Sequence, residues 1–211
     1  MTALSKTVPP NLALAPDAYE RPYHDQLNNI LRLYFNQLNS NVNSLVGPTG
    51  GSYINNVYSA VQRTTDVTFA AINTPYQITF DTVDYENGSE LNLNDGIVVN
   101  YNGIYNYQFS VQLKNADTQI HSAWIWLRKN GVDLQGTGSK FDVTNKHGGV
   151  DGYVIAACNF YVSLEAGDSV EMWAAVSDLN VSFDANAAQT SPFAMPSIPS
   201  VVATLTFVSE S

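Results

Sequence analysis

A single cysteine in 211 residues excludes any intramolecular disulfide framework. Cys158 has no histidine near it in sequence, so it reads as a small buried apolar residue, not as a nucleophile. Positive charge is also scarce. Nine Lys and Arg face nineteen Asp and Glu, a formal net charge of −10. Such a chain gains nothing from counterion release on nucleic acid and is repelled by anionic membranes, so neither is an expected partner. Charged residues of both signs amount to only 13%, about half the usual share, which leaves Asn, Gln, Ser and Thr to make the polar surface. No apolar run approaches the ~20 residues of a membrane-spanning helix. The opening MTALSKTVPPNLALAPDAYE has no apolar stretch of signal-peptide type, so synthesis and assembly in a cytoplasm are expected.

Recognisable chemistry is equally sparse. His24, His121 and His147 have no partners at zinc-ligand spacing. His121 alternates with Ala123 and Ile125 and reads as a satisfied, partly buried side chain. The stretch DTVDYENGSELNLND (81–95) could hold Ca²⁺ through oxygen ligands, but it lacks EF-hand spacing and reads as a solvated loop. Gly131, Gly136 and Gly138 before Lys140 do not have phosphate-loop spacing. No two carboxylates stand out as an acid/base pair. The expectation is a non-enzymatic protein without a cofactor.

What is present divides into four parts. Residues 1–18, with Pro9, Pro10 and Pro16, form an extended arm that needs a partner to become ordered. Residues 19–46 read as one amphipathic helix. Pro22 suits its first turn, and Asp17 or Glu20 supplies negative charge at its N-terminus. Leu27, Leu31, Tyr34, Leu38 and Leu45 fall at heptad-like spacing, with Asn41 in the place of a further apolar residue. Ile30 and Phe35 lie beside that seam as a second apolar flank. Asn28, Asn29, Asn36, Asn39, Asn41 and Asn43 lower the intrinsic helix propensity, so the helix requires tertiary or quaternary support. Self-association through Leu27, Leu31, Tyr34, Leu38, Asn41 and Leu45 is one such support, and packing on another surface is the other. Residues 47–56 (GPTGGSYINN) form a hinge that stops the helix.

From residue 57 to 211 the periodicity is two. Strands are expected at QRTTDVTFA (62–70), YQITF (76–80), IYNYQFSVQL (104–113), HSAWIWLRK (121–129), YVIAACNFYVSL (153–164), VEMWAAV (170–176) and VVATLTFV (201–208). Turn signals at Asn87-Gly88, Asp95-Gly96, Asn130-Gly131, Gly148-Gly149 and Gly167-Asp168 separate them. Many short antiparallel strands mean a sandwich or jelly roll. Several strands are apolar on both faces: Trp124 and Trp126 oppose Ile125 and Leu127, and Tyr153, Ile155 and Tyr161 oppose Val154, Phe160 and Val162. One face fills the core, and the second needs another cover, most simply another copy of the chain. The core and inter-subunit candidates are Tyr105, Tyr107, Phe109, Trp124, Trp126, Tyr153, Ile155, Tyr161 and Trp173. Exposed aromatics could alternatively serve as sugar platforms. Asn145, Lys146 and His147, in the loop before Gly148-Gly149, are the tip-loop contact candidates.

GIYNYQFSVQL (103–113) resembles the Gly-x-Tyr-x-x-x-Phe strand of the C1q/TNF-like jelly roll. YVSLEAGDSVEMWA (161–174) resembles its late hairpin, and SIPSVVATLTFV (197–208) its closing central strand. WIWLRKNGVDL (124–134) and AAQTSPFAMPSIPS (187–200) are similar to C1q/TNF-like domains in structural proteins of marine bacteriophages, as is YERPYHDQLNNILRLYFNQLN (19–39) to their N-terminal segments. The resemblance implies a ten-stranded jelly roll assembled as a homotrimer on a virion. Residues 1–46 would then dock it to capsid or tail proteins, and the domain would contact a host-surface glycan. The Gly-x-y stalk of C1q itself is missing.

Overall fold

The computed structural model describes residues 7–12, 14, 16–46, 56–92 and 96–210. The chain divides into two compact units, Met1–Asn55 and Asn56–Ser211. Of the expected hinge at 47–56, all but Asn56 lies outside the described residues.

The first unit is the arm and one helix, α1, Arg21–Val46. Pro22 falls in its first turn, where a missing N–H costs nothing. The arm folds back on the helix: Asn41 Nδ2 donates to Thr7 Oγ1 at 2.7 Å, and the Tyr19 ring stacks on His24 with centroids 4.8 Å apart. Leu27, Leu31, Tyr34 and Asn41 are half-buried, whereas Leu38, Leu45 and Phe35 are exposed. The expected seam is therefore uneven, Asn41 being engaged by Thr7 of the arm while Leu38 and Leu45 lie open. No described helix is long and apolar enough to cross a membrane.

The second unit is a sandwich of two antiparallel sheets. In chain order its strands are β1 Tyr58–Arg63, β2 Tyr76–Ile78, β3 Thr82–Asn87, β4 Ser89–Asn92, β5 Gly96–Val99, β6 Gly103–Asn115, β7 His121–Lys129, β8 Val132–Asp133, β9 Ser139–Val143, β10 Gly152–Leu164, β11 Ser169–Val176, β12 Val181–Phe183 and β13 Val201–Ser209. The first sheet runs β10-β6-β13-β1-β3, with β12 also on β6. The second runs β4-β5-β11-β7-β8, with β2 on β11 and β9 on β7. The chain changes sheets at every connection from β1 to β4, and again from β5 to β6, β6 to β7, β9 to β10, β10 to β11 and β11 to β12, consistent with a jelly roll.

Strict alternation in β6 accounts for the core. Tyr105, Tyr107, Phe109, Val111 and Leu113 are buried, and they meet Ala123, Ile125 and Leu127 from β7 and Val170, Met172 and Ala174 from β11. The turn glycines Gly88, Gly131 and Gly167 all have positive φ, the conformation in which a side chain is strained.

Two expectations need correction. The first strand is Tyr58–Arg63, not 62–70. It ends because the Asp81 carboxylate takes the Thr64 N–H at 2.9 Å and the Thr64 hydroxyl at 3.0 Å, diverting the next donor from the ladder. The acidic stretch 81–95 is not a single loop. Its described part supplies β3 and β4, joined at Gly88, with Asp84 and Glu86 on β3 and Glu90 on β4, and residues 93–95 lie outside the described residues.

Candidate functional site

The outer side of the first sheet is uncovered. Along β10, Tyr153, Ile155, Ala157, Asn159 and Tyr161 point away from the core, with Ile155 64% and Tyr161 68% exposed. Direct pairing places Ile155 opposite Gln112, Ala157 opposite Ser110, Asn159 opposite Gln108 and Tyr161 opposite Asn106. On the far side of β6, Val202 pairs with Ser110 and Thr204 with Gln108. Small residues at the centre, Ala157 and Ser110, leave a shallow depression of about 500 Å³ lined also by Gln108, Asn159, Val202 and Thr204. Ile155 and Tyr161 lie on the same face of β10, one on either side of Ala157 and Asn159. The Oδ1 of Asn106 is buried and accepts no hydrogen bond from the described residues. The face is thus a concave, mostly uncharged surface with aromatic and aliphatic edges, suited to another uncharged protein surface. Beneath it, half-buried Cys158 contacts the Ser139 hydroxyl at 3.3 Å, in keeping with a packing role.

The outer side of the second sheet carries the three tryptophans. Trp126 lies opposite Trp173, and Trp124 opposite Ala175. Arg128 stacks on Trp173, its guanidinium carbon 3.8 Å from the ring centre and 6.0 Å from that of Trp126. Asp133 accepts from the Trp126 indole at 2.7 Å and from Arg128 Nε at 2.6 Å. Hydrogen bonding from Arg128, then from Trp126, holds its carboxyl below the usual carboxylate range. Glu171 is buried and bridges the Trp173 indole at 2.8 Å and the Gly131 N–H at 2.7 Å. Two of the three tryptophans thus have their N–H groups used within the chain, and one ring face of Trp173 is covered by Arg128. The sequence shows the aromatic side of this arrangement. Asp133 and Glu171 could be found only through the pairing of β7 with β8 and β11.

One end of the sandwich gathers titratable groups. His121 Nε2 lies 2.7 Å from Asp117 Oδ2 and 3.9 Å from Asp178 Oδ2. The other oxygen of each aspartate is held by a backbone donor, Thr118 N–H on Asp117 and Asn180 N–H on Asp178. One donor atom from each of the three residues lies within 4.8 Å of the others, so the group has the ligand set for a divalent cation. His121 is partly buried as expected, but it is not without ligand-type partners: the fold brings Asp178 to it from beyond β11. Nearby, Lys146 Nζ pairs with Asp151 at 2.7 Å, and Asn145 Nδ2 donates to the Lys146 carbonyl. Of the three tip-loop candidates, Asn145 and Lys146 are half-buried and engaged within the loop, whereas His147 is exposed.

No protein-family model matches the chain, and no curated protein matches it.

Proposed function

We propose that this chain is a homotrimeric, non-enzymatic structural protein of a bacteriophage particle, a surface decoration or short fibre. Residues 1–46 dock it to other virion proteins, and the sandwich projects as a knob. The observation that carries the oligomer is the uncovered outer face of β10, β6 and β13. A face with Tyr153, Ile155 and Tyr161 exposed around an uncharged depression is unusual for a lone domain, and copies of the same chain are its simplest cover. The virion assignment rests on the resemblance of 19–39, 124–134 and 187–200 to structural proteins of marine phages.

Light scattering on the full chain tests the oligomer. The expected mass is three times the 23.0 kDa of one chain. Tyr161→Asp should reduce it to one chain, and an unchanged mass would remove this face from the interface. Labelling of intact phage particles with an antibody to the sandwich tests the location.

A second reading, a receptor-binding module for host glycan, is favoured by the tryptophan ladder on the opposite sheet, away from the face assigned to the trimer. Glycan-array binding lost in Trp124→Ala or His147→Ala, with the trimer intact, would support it. An array without any binding would reject it.

A further inference from the structure

Leu31, Leu38 and Leu45 recur every seven residues along α1. They can be completed into a heptad seam in two ways. One adds Leu27, Tyr34 and Asn41. The other adds Asn28, Phe35 and Val42. Spacing alone does not choose between these, because both give alternating steps of three and four. The structure distinguishes them. Leu27, Tyr34 and Asn41 are half-buried, and Asn41 is tied to Thr7 of the folded-back arm. Phe35 is 59% and Val42 47% exposed on the opposite flank of the leucines.

We propose that α1 associates with the α1 helices of other copies through Leu31, Phe35, Leu38, Val42 and Leu45, while the arm covers the Tyr34–Asn41 flank. Deepening the homotrimer reading above, this inference rests on it. The second frame puts Phe35 and Val42 in the layers between the leucines, where the first would put Tyr34 and Asn41. Two apolar layers replace two polar ones, so the knobs that enter a neighbouring helix lose no hydration of a hydroxyl or amide. Asn28 then occupies the equivalent position one heptad earlier, the kind of polar residue in an apolar seam that fixes register.

Charge identifies the occupant as a copy of the same helix. From residue 31 to 46 the only charged side chain is Arg32. Residues 21–46 carry Arg21, Asp25 and Arg32, a net of +1, so the remaining chain carries −11 of the total −10. Identical copies that carry this much like charge can meet along this stripe without repulsion.

Disulfide trapping in the full chain tests the seam, with Cys158→Ser as the background. Leu38→Cys places a thiol in the proposed seam, and Ser40→Cys places one on the far side of the helix. Under mild oxidation with oxidised glutathione, Leu38→Cys should give a covalent two-chain product as the main species and Ser40→Cys almost none. Val42→Asp, read by light scattering, should weaken association at least tenfold. A trimeric parent in which Leu38→Cys does not cross-link, or Ser40→Cys cross-links equally, would overturn the seam and leave the trimer to the sheet face. A parent with the mass of one chain would overturn both readings.

Discussion

The Arg128 guanidinium carbon lies 3.8 Å above the Trp173 ring, fixed there by the hydrogen bond from Arg128 Nε to Asp133. A cation held over an indole in a partly desolvated place contributes about 1 kcal/mol. Arg128→Ala should therefore lower stability to urea by about that amount. It should also shift tryptophan emission to longer wavelength as the Trp173 face becomes wet. Arg128→Lys should recover little of either, because an ammonium group cannot stack and bond Asp133 in the same planar geometry.

Tyr105 and Tyr107 are buried on the same side of β6, yet their hydroxyls differ. Tyr105 Oη donates to the Tyr101 carbonyl at 2.7 Å, and Tyr107 Oη is buried without a partner among the described residues. Removing a satisfied hydroxyl leaves its acceptor unpaired, whereas removing an unsatisfied one relieves a desolvation cost. Tyr105→Phe should destabilise by about 1 kcal/mol, and Tyr107→Phe should be neutral or stabilising by up to about 1 kcal/mol. Parallel urea titrations check the difference, and equal losses would contradict it.

Gly152 begins β10 against the backbone of the preceding loop. A Cβ there would lie 1.8 Å from the Thr144 carbonyl oxygen and 2.6 Å from its carbon. Both atoms are main chain and cannot swing aside. Gly152→Ala should cost more than about 2 kcal/mol by overpacking, measured as a fall in Tm. Gly138→Ala, with open space around it, should be tolerated.

Acid should act on the cluster at the end of the sandwich. Asp117 is held below its ordinary range by the His121 hydrogen bond and then by Thr118 N–H, and Asp178 by Asn180 N–H and then the Asn180 side chain. Their folded pKa values are depressed, so the stability they add is fully present above the ordinary carboxylate pKa of about 4 and disappears as pH falls below it. Lys114 shifts the other way, raised chiefly by its hydrogen bond to Asp184, so its contribution is complete below the ordinary lysine pKa of about 10 and is lost only above it. A plot of Tm against pH should be flat between these limits and fall on the acid side. Asp178→Asn should shallow the acid limb.

The core of the sandwich was legible because its signal is local. Five inward residues in a row on β6 and the alternation of β7 can be read directly from spacing two. Boundaries and partners were less legible because they are set by residues distant in sequence. Thr64 belongs to an alternating run, yet Asp81 takes its N–H and ends β1. The acidic stretch looked like a loop because Asp and Glu disfavour strands, but pairing of β3 with β1 and β4 with β5 overrides that preference. Asp117 is only four residues from His121, but that spacing carries no signal outside a helix, and Asp178 arrives only through the β7–β11 pairing. On the helix the repeated leucines were plain. The hydrogen bond from Asn41 to the arm was not, since Thr7 and Asn41 carry no pairing signal of their own.

The order of strands also bears on how the chain is made. β13 is the last strand of the domain to be synthesised, yet it sits between β6 and β1 in the middle of the first sheet. Until it leaves the ribosome, β1 lacks one neighbour, and β6 has β10 on one edge and nothing along most of the other. A nascent or truncated chain therefore presents unpaired edges on long apolar strands, where another unfinished chain can dock. A stop codon near residue 200 should yield insoluble material, whereas removal of only the final residues after Val208 should not.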